Sequence, residues 1–321
     1  MKVCVLSDSE LKEFDPSQYL IAYSWDVFIP QRPVVDFVRA LAKDGDYDVY
    51  FNLCDGADNP REDYDGIDIV CALEALHLPF TGANSQFYDP SREVMQSVAE
   101  SNGIGFVQGV NVSNIAELDA LENLRYPLMV KHPQSFASTA MTRNSRVDTP
   151  QKLREQVKRI CNRFGSARVE EFIEGPEFTV LVVDNSDDLE CPFVYPPAEL
   201  IFPPGENFLH SRVKWKEWVY LKPVNNQALS LCLMEMARDM YLAMNGVGYA
   251  RCDVRMGPDE QLYMIEINPN SGILFKPEDL GPADVMMEYD VNGHAGFLDR
   301  IFRAAMIRNQ AGMPTANPKL R

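Results

Sequence analysis

Two short segments toward the C-terminal end of the chain, residues 248–256 and 261–272, constrain its fold more than any other feature. Both combine apolar and polar side chains in the alternation that is typical of a strand with two different faces. The residues between them, 257–260, are rich in turn formers. The pattern therefore predicts two β-strands joined as a hairpin.

Four polar side chains are predicted to share one face of this hairpin. Because strand side chains alternate between the two faces of a sheet, an even-length turn brings together Arg251, Asp253, Glu266 and Asn268. Two carboxylates and an amide oxygen are the hard ligands that Mg²⁺ takes together with substrate phosphates. The alternative is a surface hairpin whose charges only face water, but the apolar content of the two strands argues against it.

Strand and helix patterns alternate through the first 88 residues. Strands are predicted at residues 3–6 and 49–53, helices at 33–41 and 67–76, and a short third strand from residue 79. Such alternation predicts a parallel α/β sheet. Neither the glycine fingerprint of dinucleotide-binding folds nor a P-loop motif occurs in the sequence, so a nucleotide would be held by another device.

Lys131 ends a predicted apolar strand at residues 126–131 and precedes a loop of mostly small residues, 133–140. A lysine at a strand end is usually only solvated, whereas a loop of small residues beside it could approach a phosphate. Helices are predicted on either side of this pair, at residues 92–102 and 150–164.

Glu177 opens a predicted strand directly after a tight connection at Gly175 and Pro176. A carboxylate in this position could accept hydrogen bonds from both hydroxyls of a ribose. An acidic residue beside a turn that only faces water explains the pattern equally well.

Residues 184–226 are predicted to be rich in loops, and basic and aromatic residues interleave between positions 212 and 222. Such interleaving can bind nucleic acid, but the net charge of −17 opposes a phosphate-backbone partner. A mobile flap over an anionic small molecule is the expected role. Helices at 228–244 and 293–310 are predicted to complete the C-terminal part.

Composition excludes several other classes. No apolar run reaches the roughly 18 residues of a transmembrane helix, and the N-terminus lacks a signal-peptide pattern. The 7 cysteines are scattered and the 4 histidines lack metal-ligand spacing, which argues against a disulfide framework or a zinc site. We expect a cytoplasmic protein that acts on small molecules, without nucleic-acid or membrane partners.

Three motifs, at residues 169–180, 250–254 and 264–272, follow one another in an order and spacing that resemble the ATP-grasp superfamily and, within it, the D-alanine–D-alanine ligases. The resemblance covers the chain from about residue 49 to the C-terminal helix. It implies an α/β (α+β) protein with the ATP-grasp fold, in which an N-terminal parallel α/β domain is followed by two subdomains that clamp ATP. The expected divisions are 1–88, 89–183, 184–310 and a disordered tail at 311–321.

The resemblance also implies a reaction and its metal ion. ATP would phosphorylate a substrate carboxylate, and an amine would attack the resulting acyl phosphate. Arg251 matches the family's catalytic arginine, which stabilises the developing oxyanion. The family's magnesium ligands, with Mn²⁺ as an alternative ion, are matched by Asp253, Glu266 and Asn268. A homodimer is the assembly that the family implies.

Nine residues match the family's nucleotide contacts. Lys214 matches the flap lysine that reaches phosphate and is assigned a catalytic role as well, although Lys216 and Lys222 are close competitors. The nucleotide-binding set is Arg92, Lys131, Ser138, Glu170, Glu171, Phe172, Ile173, Glu177 and Lys214.

Departures from the family pattern concern the phosphate loop and both amino-acid subsites. Residues 136–140 lack the family's glycines, residues 6–13 lack its paired glycines followed by a glutamate, and no serine follows Gly272 at the expected place. The leading hypothesis is therefore a Mg-ATP-dependent carboxylate–amine ligase with a substrate other than D-alanine. The alternatives are a nucleotide-binding regulatory or scaffold protein without catalysis, and a D-alanine–D-alanine ligase.

Overall fold

A computed structural model describes residues 1–7, 15–54, 66–121, 123–134, 139–211, 213 and 219–312. Strands β1 (Lys2–Ser7), β2 (Ser24–Phe28) and β3 (Val49–Leu53) form a parallel sheet in the order β2-β1-β3. Helices α1 (Val34–Asp44) and α2 (Gly66–Ala75) pack against it. The predicted parallel α/β sheet is confirmed.

The third strand of this sheet differs from the prediction. Residues 79–81 contribute only one parallel bridge, between Phe80 and Tyr50, whereas β2 pairs along its whole length with β1. Because β2 is a largely exposed edge strand, it lacks the run of buried apolar residues that marks β1 and β3.

A four-stranded antiparallel sheet follows, in the order β4-β7-β5-β6. Helix α3 (Arg92–Ser101) is capped by the Ser91 side chain, and its Val94 is 49% exposed. Helix α4 (Pro150–Phe164) has the predicted bounds. The strands are β4 (Gly109–Val112), β5 (Leu128–Lys131), β6 (Arg146–Val147) and β7 (Ala167–Glu171).

The largest sheet has the order β11-β10-β8-β12-β13, with β9 also paired to β8. Three of its strands lie in the segment 184–226 that was predicted to be loops; they are short, so they carry little periodicity. The strands are β8 (Glu177–Val183), β9 (Phe193–Val194), β10 (Ala198–Ile201), β11 (Tyr220–Pro223), β12 (Tyr249–Met256) and β13 (Leu262–Pro269).

Strands β12 and β13 form the predicted hairpin. Arg251 lies opposite Asn268 and Asp253 lies opposite Glu266, so that the four side chains share one face. The register shifts after Asp253, where Val254 pairs with Met264. The prediction that placed these four residues together is confirmed.

Strands β7 and β8 belong to different sheets, and the chain crosses from one to the other at Gly175. This glycine has φ of 143°, and a β-carbon on it would lie 2.1 Å from the Met256 carbonyl oxygen. A glycine is therefore required here to bring the two sheets together.

Three further helices cover the largest sheet: α5 (Gln227–Ala243), α6 (Pro282–Glu288) and α7 (Gly293–Gln310). Phe302 of α7 packs in one core with Phe51 of β3 and Leu181 of β8, which joins the N-terminal sheet to the largest one. Within the described residues, no helix has the length and apolarity needed to cross a membrane.

Candidate active site

Asp253 lies at the centre of the polar face of the β12–β13 hairpin. Its carboxylate accepts hydrogen bonds from Arg251 Nε (3.0 Å) and Nη2 (2.9 Å), from Thr179 Oγ1 (2.9 Å) and from Asn268 Nδ2 (3.1 Å). Burial alone would lower the pKa of the Arg251 guanidinium, but the attraction of Asp253 outweighs it and raises that pKa. The arginine is therefore a permanent cation held in a fixed orientation.

Glu266, opposite Asp253, forms an ion pair with Arg92 of α3. Burial would raise the pKa of this carboxyl, but Arg92, Lys131 and Arg251 together lower it to about 2. Arg92 also donates from Nη1 to the Ile265 carbonyl at 3.4 Å, while its buried Nε has no hydrogen-bond partner within the described ranges. A cation with an unused donor thus stands beside an ionised carboxylate.

Lys131, at the end of β5, is 7% exposed and forms an ion pair with Glu170 of the neighbouring strand β7. Burial lowers the pKa of the lysine, and Glu170 only partly offsets this. Burial would raise the pKa of Glu170, but the attraction of Lys131 and two arginines outweighs it and the pKa is lowered. The predicted nucleotide lysine therefore lies in the interior with a carboxylate beside it.

The connection from β7 to β8 is held by Arg255, a residue to which no role was assigned from the sequence. Its guanidinium donates to Glu177 Oε2 from Nε (2.9 Å) and Nη2 (2.6 Å), and to the Ile173 carbonyl from Nη1 (2.8 Å). It also lies 4.4 Å above the Phe172 ring. Alternation along β12 places Arg255 on the face of Asp253, but its partners could not be inferred without the second sheet.

Glu171 lies on the opposite side of β7 from Glu170 and contacts Arg125. The Arg125 backbone N donates to Oε1 at 3.0 Å, and its Nη2 donates to Oε2 at 3.2 Å. Both bonds tie β7 to the segment that leads into β5. The Glu171 side chain therefore stabilises the contact between β7 and this segment, next to the predicted adenine site.

Two predicted site residues, Ser138 and Lys214, lie outside the described part of the chain, as does Lys216. The third candidate flap lysine, Lys222 on β11, forms an ion pair with Glu199 at 3.1 Å. The choice between these lysines stays a prediction.

A small cavity of about 20 Å³ lies where the hairpin meets the end of β3. In the described part of the chain, the buried Ser271 hydroxyl has no hydrogen-bond partner, and it lines this cavity with Asn52 and Cys54. The turn that carries Ser271 is fixed by Asn270, whose Oδ1 accepts from the Ala83 N–H at 2.8 Å. Ser271 lies in the motif at residues 264–272, and no role was predicted for it from the sequence; its position just after the strand that carries the proposed metal ligands was the available signal.

The residues present fit a magnesium ion that carries nucleotide phosphates. Within the described residues, no group of three histidine, cysteine or acidic side chains could hold a metal ion alone. Asp253, Glu266 and the Asn268 amide form a set of two carboxylates and one amide, which suits Mg²⁺ when phosphates and water complete its shell. Arg92 and Lys131 supply the adjoining positive charge.

Comparisons with known proteins show the family to which the chain belongs. The family model for the D-ala D-ala ligase C-terminus matches residues 108–274, just over half of the chain. A D-alanine–D-alanine ligase of Mannheimia succiniciproducens is 24% identical over 249 residues, covering 74% of this chain and 75% of the relative.

Solved structures show the same fold. The D-alanine–D-alanine ligase of Coxiella burnetii has a TM-score of 0.68 at 18% identity, covering 97% of this chain and 95% of the other. The Bacillus anthracis enzyme complexed with ATP has a TM-score of 0.69 at 16% identity, covering 97% and 99%.

Fold and site together define an ATP-dependent carboxylate–amine ligase with the ATP-grasp fold, an enzyme that forms C–N bonds with release of ADP. Within this class the chain belongs to the D-alanine–D-alanine ligase family.

Proposed function

We propose that this protein is a D-alanine–D-alanine ligase. The observation that carries the proposal is the hairpin face with Asp253, Glu266 and Asn268, which lies inside the segment matched by the family model. The sequence-based preference for a different substrate has less support, because the curated relatives that match across most of the chain are named D-alanine–D-alanine ligases.

The hairpin and its neighbours would hold Mg-ATP. Asp253, Glu266 and Asn268 would hold magnesium, which when bound neutralises phosphate charge, and Mn²⁺ is expected to substitute for it. Lys131 and Arg92 would contact the phosphates; Ser138 and Lys214 are proposed to close over them.

The β7–β8 connection would hold the nucleoside. Phe172 and Ile173 would contact adenine, with Glu170 and Glu171 at its edge. The two hydrogen bonds that Arg255 donates to Glu177 both end on Oε2. The other carboxylate oxygen of Glu177, Oε1, would accept hydrogen bonds from the ribose hydroxyls.

Arg251 would stabilise the oxyanion that develops when the amine attacks the acyl phosphate. Asp253 accepts hydrogen bonds from Nε and Nη2 of Arg251 and so fixes the orientation of the guanidinium. The remaining nitrogen, Nη1, would face the oxyanion. The Ser271 hydroxyl, which has no hydrogen-bond partner among the described residues, would donate to an amino-acid substrate bound beside this small cavity.

A panel of amino acids with Mg-ATP tests the proposal. D-Alanine should give ADP, phosphate and a dipeptide detectable by mass spectrometry. D-Serine, glycine, L-alanine and a D-hydroxy acid are the comparisons, each tested alone and with D-alanine. ATP binding without D-alanine-dependent ADP would contradict the proposal.

A second candidate is the same chemistry with another amine. One observation favours it: Lys276, half-buried, lies in the loop after Gly272, where the serine expected from the family pattern is missing. Lys276→Ser should improve turnover of D-alanine if this lysine selects an acidic acceptor, and should leave it unchanged or lower otherwise.

The domain divisions at 88, 183 and 310 and a homodimeric assembly are part of the same proposal. Limited proteolysis would test the divisions, and sedimentation equilibrium would test the assembly.

A further inference from the structure

Arg168 is a buried cation that the proposed reaction does not use. It lies on β7, two residues before Glu170, and only 1% of it is exposed. Its Nη2 donates to Gln96 Oε1 of α3 at 2.5 Å. Its Nε forms an ion pair with Glu170 Oε2 at 3.5 Å, and neither of these two atoms has a hydrogen-bond partner among the described residues. Burying a guanidinium carries a desolvation cost that only close pairing offsets, so its position calls for a physical reason.

Glu170 is shared by this arginine and the nucleotide site. Lys131 pairs with Oε1 of the carboxylate, while Arg168 lies near Oε2. Arg92 also attracts Glu170, and it forms an ion pair with the predicted metal ligand Glu266. Charges of alternating sign therefore run from Arg168 through Glu170 to the two cations proposed to meet the phosphates.

The outer end of this row is anchored on α3. Gln96 Nε2 donates to Glu100 Oε1 at 3.1 Å, and Gln108 donates to the same oxygen at 3.0 Å. Because its NH₂ group faces Glu100, Gln96 presents its carbonyl oxygen to Arg168. The orientation of the amide, and with it the place of the guanidinium, is thus set by residues at the surface.

Gly109 of β4 provides the space that Arg168 occupies. A β-carbon at this position would lie 2.8 Å from Arg168 Nη2 and 2.7 Å from Glu170 Cβ. Such contacts are too short for an ordinary side chain. Because Gly109 has no β-carbon, the Arg168 guanidinium can lie between Gln96 and Glu170.

We propose that Arg168 is a positioning residue for nucleotide binding, which acts through Glu170 on Lys131 and Arg92. By placing its positive charge 3.5 Å from Glu170 Oε2, Arg168 attracts part of the carboxylate's charge away from Lys131 and leaves positive charge available to the phosphates. This inference rests on the proposed function, because it assumes that Lys131 and Arg92 meet a nucleotide.

Arg168→Met and Gln96→Leu test the inference. Without Arg168, both oxygens of Glu170 would draw on Lys131 and Arg92, so the dissociation constant of a non-hydrolysable Mg-ATP analogue should rise about tenfold or more. Gln96→Leu removes only the acceptor of the guanidinium, and a rise of about threefold is expected. Arg168→Lys should recover part of the loss. Calorimetric titration without amino acid measures all of these values.

Val110→Ala is the matched control, because Val110 follows Gly109 and its side chain is 39% exposed; it should bind the analogue like the wild type. Where Arg168→Met fails to fold, Gln96→Leu decides. Variants that lose thermal stability but bind the analogue with wild-type affinity would overturn the inference and assign Arg168 a purely structural role. A wild type that binds the analogue without turning over D-alanine contradicts the proposed function alone.

Discussion

Glu266 is the residue whose change most directly tests the metal site. Glu266→Gln keeps the shape of the side chain but removes the charge that faces Arg92 and the proposed metal ion. A bound metal ion supplies several kcal/mol of charge stabilisation, so kcat should fall about 100-fold or more. ADP release under saturating D-alanine and Mg-ATP is the measurement.

Glu260→Gln is the control for this change, because Glu260 is exposed in the turn of the same hairpin. It should keep the wild-type rate. If Glu266→Gln turned over at the wild-type rate with unchanged magnesium dependence, Glu266 would not be a metal ligand.

Ser271 tests the amino-acid end of the site. Ser271→Ala removes a buried hydroxyl for which the described residues provide no hydrogen-bond partner. A hydrogen bond to a charged group contributes about 1.5–3 kcal/mol, so KM for D-alanine should rise roughly tenfold or more, while KM for ATP stays constant. An unchanged KM for D-alanine would indicate that the hydroxyl only binds water; Ser97→Ala, on an exposed position of α3, is the control.

The alternation of side chains along each strand correctly predicted which four residues share the hairpin face. Their placement depends only on local periodicity and on a short turn. The partners of Arg255 and Arg168 could not be predicted in the same way. Their partners belong to other parts of the structure: Glu177 and Ile173 for Arg255, and Gln96 for Arg168. The spacing of residues along the chain does not predict these contacts.

Among the secondary-structure elements, the four-stranded sheet and the largest sheet are joined at Gly175. Gly175→Ala would force a β-carbon against the Met256 carbonyl at a φ of 143°. The free energy of unfolding should fall by about 3 kcal/mol or more, because both strain and a steric clash are introduced. Denaturant unfolding measures the change.

Gly165→Ala is the comparison. This glycine ends α4 with φ of 82°, but a β-carbon there meets nothing within 4 Å. Only the left-handed backbone penalty of about 1–2 kcal/mol applies. Equal losses in the two variants would show that the approach to Met256 has no effect on stability.

Elements with a buried periodic face were predicted well, and exposed or short ones were not. Helices α4 and α7 have the predicted bounds because each carries its own apolar face. The edge strand β2 and the short strand β9 owe their existence to pairing with β1 and β8, which is a tertiary effect.

At the scale of the whole molecule, Asp184 joins three elements around the largest sheet. It accepts hydrogen bonds from Tyr241 Oη (2.7 Å) and the Gly248 N–H (2.9 Å), and forms an ion pair with Arg308 of α7. Arg308→Met should lower the free energy of unfolding by about 3 kcal/mol, because removing one partner leaves a buried charge.

Arg303→Met on the same helix is its control. Arg303 is exposed and pairs with Asp299 one turn earlier, an interaction that contributes about 0.5 kcal/mol or less. Similar stability of the two variants would mean that the Asp184 network does not hold α7 in place.

The most direct test of the central claim is the release of ADP from Mg-ATP with D-alanine as the only amino acid. The wild type should form ADP and D-alanyl-D-alanine in equal amounts, and Glu266→Gln should form neither at a comparable rate. A wild type that binds Mg-ATP but forms no ADP with D-alanine would contradict the assignment of D-alanine as the substrate.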